Sequence, residues 1–145
     1  SWTTITNVPP GTITAIACSN TDPNKAWITY SGFNNNNKVF QTTDQGVTWT
    51  NLSASIPNIP INHIVYQNNS NDALYIGTDV GAFYKDATSA IWQPFSNGLP
   101  NVIVSQLAIH YATNTIRAST YGRGCLLYTS PSPRDRTRSR MPSSA

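Results

Sequence analysis

The apolar residues of this chain fall in short runs separated by polar, turn-forming residues, and the runs come in pairs. "TITAIACS", "PINHIVYQ" and "IVSQLAIHY" each lead through a polar loop, "NTDPN", "NNSND" or "ATN", into a second run, "AWITYSG", "ALYIGTD" or "TIRASTYG". Runs rich in Ile, Val, Thr and Tyr and bounded by Asn, Asp, Pro and Gly predict strands in hairpins. Branched and aromatic side chains fit a pleated surface, and the bounding residues tolerate tight backbone turns. No window sustains helical spacing.

The pairs recur. Trp2, Trp49 and Trp92 lie 47 and 43 residues apart, and each is followed eight positions later by a proline: Pro10, Pro57 and Pro100. Ile13, Ile61 and Val104 then correspond, as do Ile16, Ile64 and Leu107. In the first unit "KVFQTT" and "TWTNLS" supply a third and a fourth run, giving four strands in one period. Four strands in about 45 residues is the size of a β-propeller blade, whose inner strands are covered on both faces and so need not alternate strictly. The expected fold is all-β: a fragment of a β-propeller with roughly two and a half four-stranded blades over residues 1–124. A ring needs about four to eight blades, so the remaining blades of the same chain are expected partners.

Charge changes this picture only at one end. The net charge of +3 would suggest an anionic partner. Before Cys125, however, Lys25, Lys38, Lys85, Arg117 and Arg123 balance Asp22, Asp44, Asp72, Asp79 and Asp86. The excess lies in "CLLYTSPSPRDRTRSRMPSSA", residues 125–145, which also holds the single methionine, Met141. With a neutral body, no nucleic-acid partner is expected. The lack of Met before that point suggests an internal piece of a longer protein. Cys125 to Asp135 is similar to the translation of a widely used transposase-type sequencing adapter, and Ser139 to Ala145 to the constant stretch beyond its index. That resemblance implies a non-native, disordered tail; a natural basic disordered tail is the alternative. No apolar run is long enough to cross a bilayer, so no membrane insertion is expected. Low charge, abundant Asn, Thr and Ser, and no Glu suit an extracellular or cell-surface β protein.

Between the third and fourth strands of the complete unit lies "TTDQGVTW", Thr42 to Trp49. It resembles the Asp-box, the bacterial-neuraminidase-type (BNR) repeat Ser/Thr-x-Asp-x-Gly-x-Thr-Trp. Ser1-Trp2 is similar to the end of an earlier copy. "YKDATSAIW" resembles a degenerate one that keeps Asp86 and Trp92, lacks the glycine, and implies a looser turn. Physically the pattern describes a tight hairpin. Asp44 accepts hydrogen bonds from the turn, Gly46 supplies a positive φ, Thr42 and Thr48 flank it, and Trp49 covers its apolar side. These are structural roles. The wider resemblance, over residues 1–124, is to sortilin-like and xyloglucanase-like propellers, especially large secreted Bacteroidetes-type proteins.

Two function classes follow. Thr78-Asp79-Val80-Gly81 is similar to the segment bearing a catalytic aspartate in xyloglucan-cleaving propeller glycosidases, which makes Asp79 the candidate catalytic residue. The alternative is that "GTDVG" simply turns a hairpin. Glycoside hydrolysis normally needs two carboxyls, and a second matching acid is not visible here. Arg117 and Arg123 alone do not build a sialidase site. His63 and His110 have no repeat counterparts and read as strand residues, and Cys18 reads as a buried thiol. Neither a metal nor a cofactor is expected. The competing class is a binding or scaffold module whose rim aromatics, Tyr30, Phe33, Phe83 and Tyr121, would engage a polysaccharide or a surface protein.

Overall fold

The computed structural model of the chain describes residues 1–95 and 101–129. Strands β1 (Ile13–Cys18), β2 (Ala26–Tyr30), β3 (Val39–Thr42) and β4 (Thr50–Asn51) form one antiparallel sheet in sequential order. Strands β5 (Ile61–Tyr66), β6 (Leu74–Thr78), β7 (Gly81–Lys85) and β8 (Gln93–Pro94) form a second. The third contains β9 (Val104–His110), β10 (Thr115–Thr120) and β11 (Gly124–Thr129). The described residues contain no helix, and the hairpins fall where the polar loops predict.

Each sheet's first strand carries a register shift one residue in, at Ile13/Ala15, Ile61/His63 and beside Val104. A bulge there bends the strand and sharpens its twist. The sheets stack in order, β5 against β1 and β9 against β5. Between the first two sheets Ala17, Trp27 and Val39 meet Ile61, Ile64, Ile76, Phe83 and Trp92. Between the second and third, Tyr75 and Tyr84 meet Val104, Leu107, Ile116 and Ala118. The middle sheet is therefore apolar on both faces, which is why its β6 run "LYIGT" is buried at every position and shows no alternation. Gly77 lies where a side chain would not fit: a Cβ there would sit 2.7 Å from Val104 Cγ1.

Two expectations are corrected. The tail was to be disordered from Cys125, yet Cys125 to Thr129 lie in β11, paired with β10 from Thr115↔Thr129 to Thr120↔Gly124. An apolar run placed one turn beyond β10 satisfies that strand's open hydrogen-bonding edge, and Leu126 packs onto the core. Residues 130–145, the rest of that tail, lie outside the described residues, as does the Pro100 connector. Cys18, expected to be a buried thiol, is exposed. It shares a face of β1 with Ile13 and Ile16, and no sheet of the described residues covers that face.

Candidate functional site

The strand ends define two rims. At one, the β1–β2, β3–β4, β5–β6 and β7–β8 turns converge with a dense set of hydrogen bonds. Asp44 Oδ1 accepts from the Thr48 N–H and the Thr42 hydroxyl, both at 2.8 Å, and Oδ2 from the Thr48 hydroxyl at 2.6 Å. The Thr42 hydroxyl in turn accepts from the Gly46 N–H at 2.8 Å. Gly46 has φ +89°, as the turn requires, and Gln45 shares the left-handed region at +60°. The Thr48 hydroxyl and amide hold the Asp44 carboxyl below its usual range. This carboxylate is fully engaged by its own turn.

The second turn of this kind reaches the same end by a different route. Asp86 Oδ1 accepts from the amides and hydroxyls of Thr88 and Ser89, at 2.7 to 3.0 Å. Its Oδ2 accepts from the Tyr84 hydroxyl at 2.8 Å. Without a glycine the carboxylate takes its donors two and three residues on instead of four, so the turn differs. Trp92 is buried, and its indole N–H donates to the Leu52 carbonyl of the preceding sheet at 2.7 Å. This rim is also sewn across sheets. Asn20 and Asn69 exchange hydrogen bonds at 3.0 and 3.1 Å, the Asn68 N–H donates to the Tyr111 hydroxyl at 3.0 Å, and Lys25 pairs with Asp72 at 2.9 Å.

The opposite rim holds the candidate functional residues. Asp79 and Val80 form the two-residue turn between β6 and β7, closed by the Thr78 hydroxyl donating to the Gly81 carbonyl at 2.8 Å. The partly buried Asp79 carboxylate accepts from the Asn62 amide at 2.9 Å, and the same amide donates to the Val104 carbonyl of the next sheet at 3.1 Å. Asn62 occupies the β5 bulge, so the bulge aims one side chain at both the turn and the neighbouring sheet. Sequence reading missed this residue, although its place directly after Ile61 in a repeated bulge is a usable signal. Phe33 follows β2 and Tyr121 follows β10, at the same ends of equivalent strands, 70% and 82% exposed.

The other two candidate aromatics do not reach solvent. Tyr30 is fully buried, edge-on to Phe40, with its hydroxyl donating to the Pro9 carbonyl at 2.6 Å; burial pushes its pKa up. Phe83 lies in the core between the first two sheets. Both are corrected from rim residues to packing residues: Phe83 faces the first sheet, and Tyr30 is covered by Phe40 and by the segment around Val8, Pro9 and Gly11. Lys38 is another buried group that sequence reading did not flag. Its ammonium donates to the Gly32 carbonyl at 2.5 Å, and desolvation lowers its pKa. His63 lies in β5 and His110 in β9, as expected of strand residues. His63 Nδ1 accepts from the Leu107 N–H at 3.3 Å, and burial lowers its pKa.

Placement of the carboxylates bears directly on chemistry. Among the described residues Asp22, Asp44, Asp72 and Asp86 all stand at the sewn rim, and Asp79 alone at the other. A pair of carboxyls flanking one bond, the usual requirement for glycoside hydrolysis, is therefore not assembled by the described residues.

No family model matches the chain, and no curated protein does. Solved structures do. The extracellular domain of BT4673 from B. thetaiotaomicron aligns with TM-score 0.66 at 15% identity, over 88% of this chain and 16% of that one. A GH74 enzyme of Niastella koreensis aligns with TM-score 0.60 at 16% identity, over 81% of this chain and 21% of that one. YCF48 from Cyanidioschyzon merolae aligns with TM-score 0.57 at 16% identity, over 81% and 37%. All are β-propeller proteins, and the fold of this chain is that of propeller blades. At these identities the likeness concerns fold alone.

Proposed function

We propose that the chain is part of an extracellular or cell-surface propeller that acts as a binding or scaffold module, with a polysaccharide or a surface protein engaged at the Asp79 rim. The observation that carries this reading is the segregation of the two rims. One rim's carboxylates are consumed by turns and inter-sheet bonds, while the other presents exposed Phe33 and Tyr121 on equivalent turns flanking a partly buried carboxylate. Flat aromatic faces stack on the apolar faces of sugar rings or pack on protein, and a carboxylate between them accepts hydroxyl or amide donors. Thr42, Asp44, Gly46, Thr48 and Trp49, and in degenerate form Asp86 and Trp92, serve as Asp-box turn formers in this reading, not as catalysts. An extracellular location agrees with the BT4673 neighbour. No helix of the described residues is long and apolar enough to cross a membrane.

A second reading is favoured by Asp79 itself, held by the Asn62 amide at a solvent-facing turn. Here Asp79 is the base of a polysaccharide hydrolase whose acid is supplied outside the described residues. One experiment separates the two. The chain is titrated with a panel of soluble plant polysaccharides, xyloglucan included, by affinity electrophoresis and calorimetry, while released reducing ends are followed. Binding without release, weakened about fivefold or more by Phe33→Ala or Tyr121→Ala, supports the module. Release abolished by Asp79→Asn supports the hydrolase. Neither binding nor release across the panel removes the polysaccharide and leaves the surface protein.

A further inference from the structure

Each sheet turns from its second to its third strand at the Asp79 rim, and the repeat shows which of these turns is the exception. Strand register makes Ile28, Ile76 and Ala118 counterparts, paired with Phe40, Phe83 and Leu126. Carried to the strand ends, Tyr30, Thr78 and Thr120 correspond, and so do Lys38, Gly81 and Gly124. In the second and third sheets the threonine hydroxyl donates to the glycine carbonyl at 2.8 Å and closes a connection of two or three residues. The first sheet has neither the threonine nor the glycine. Its connection is eight residues long, Ser31 to Lys38, and carries Phe33 out to 70% exposure.

Both replacing residues turn inward. Tyr30 is buried, with its hydroxyl donating to the Pro9 carbonyl. Lys38 is 1% exposed, and its ammonium donates to the Gly32 carbonyl, directly ahead of Phe33. No carboxylate pairs with it among the described residues. The other limb of the loop is fixed separately, by the Asn37 amide donating to the Pro10 carbonyl at 3.0 Å and the Asn51 amide to the Asn36 carbonyl. A buried ammonium without a counter-ion is costly, and an apolar side chain of similar length would fill the same space. Stability therefore does not account for a lysine at this position. What lysine adds is a donor that reaches back across the loop to a carbonyl.

We infer that the Ser31–Lys38 loop is a preformed ligand loop of the Asp79 rim and that Lys38 is its positioning residue, holding the Gly32 carbonyl so that Phe33 keeps one orientation toward the ligand. The inference rests on the reading of Phe33 as a ligand contact. Lys38 is buried and touches no ligand; it acts through Phe33. Asp79 and Tyr121 stand on the short connections of the second and third sheets, which their threonine–glycine bonds already close. Only the long loop needs a support from beneath. Holding an exposed aromatic in place before binding removes the entropy cost of ordering its loop afterwards.

Lys38→Met keeps the length of the side chain and removes the donor. The full chain, Lys38→Met, Phe33→Ala and the double variant are compared by melting temperature, by chymotrypsin cleavage mapped by mass spectrometry, and by affinity electrophoresis in xyloglucan. In Lys38→Met, cleavage after Phe33 is expected to quicken about tenfold or more, while cleavage after Tyr121 is unchanged and the melting temperature is unchanged or raised. Unchanged cleavage after Phe33 overturns the inference. Faster cleavage at both residues with a lowered melting temperature also overturns it, since Lys38 is then a support of the whole fold. In xyloglucan, Lys38→Met is expected to weaken binding as far as Phe33→Ala does, about fivefold, and to add nothing in the double variant. Additive losses overturn the positioning role. A parent chain that xyloglucan does not retard counts against that polysaccharide as the ligand of the rim, and the cleavage ratio still decides the role of Lys38.

Discussion

The seam between the second and third sheets can be probed at one atom. In Gly77→Ala the new Cβ would stand 2.7 Å from Val104 Cγ1, 3.0 Å from the Val104 carbonyl oxygen and 3.2 Å from its Cβ. The backbone oxygen is fixed by the sheet, so the contact is relieved only by moving β9 away from β6. Overpacking of this kind costs about 1–3 kcal/mol. Gly77 is absent from the positive-φ residues, so alanine suits its backbone and returns about 0.4–1 kcal/mol by restricting the unfolded chain. The net expected loss is about 1–2 kcal/mol, or about 3–8 °C in melting temperature for a chain of this size. Urea denaturation and calorimetry of Gly77→Ala, Val104→Ala and the double variant measure it. In the Val104→Ala background the Gly77→Ala loss is expected to shrink without vanishing, because the side-chain clash goes and the carbonyl contact stays. A Gly77→Ala protein as stable as the parent, or full additivity in the cycle, would refute close sheet-to-sheet packing as the reason for this glycine.

Four further outcomes are expected. Trp92→Phe removes the N–H that reaches the Leu52 carbonyl and should cost about 1–3 kcal/mol by chemical denaturation. Thr48→Ala removes the largest cause of the low Asp44 pKa, so the carboxyl resonance should titrate closer to the usual value near 3.8 by NMR. Burial holds His63 neutral, with a native pKa below the usual 6.5, while its Nδ1 accepts the Leu107 N–H. The unfolded chain then takes up its proton first as pH falls, and stability should decline from about pH 6.5 downward until the native group also titrates. A His63→Gln chain should show a flatter denaturation midpoint across that range. Cys18 should react with a thiol reagent in the folded Cys125→Ser chain, as its exposure requires; protection would contradict the open face.

Much of the architecture can be read from residue order because it depends on local chemistry. The pairing of apolar runs, the Trp spacing and the Asn, Asp and Gly punctuation each place a strand or a turn. The Thr42–Trp49 hairpin is specified by side chains within eight residues, and its hydrogen bonds form as that pattern dictates. The tertiary structure decided burial. Ile16 and Ile64 are the same residue in the same register, yet one is 63% exposed and the other 2%, because a neighbouring sheet covers only the second. Tyr30 and Phe83 looked like rim aromatics from their nearness to strand ends, but strand faces and not chain distance determine which side chains reach solvent. The isolation of Asp79 from every other described carboxylate is a matter of which strand ends meet, a property of sheet topology that no local run of residues encodes. Even β11 was decided this way: its residues joined the fold because β10 offered an unpaired edge within one turn.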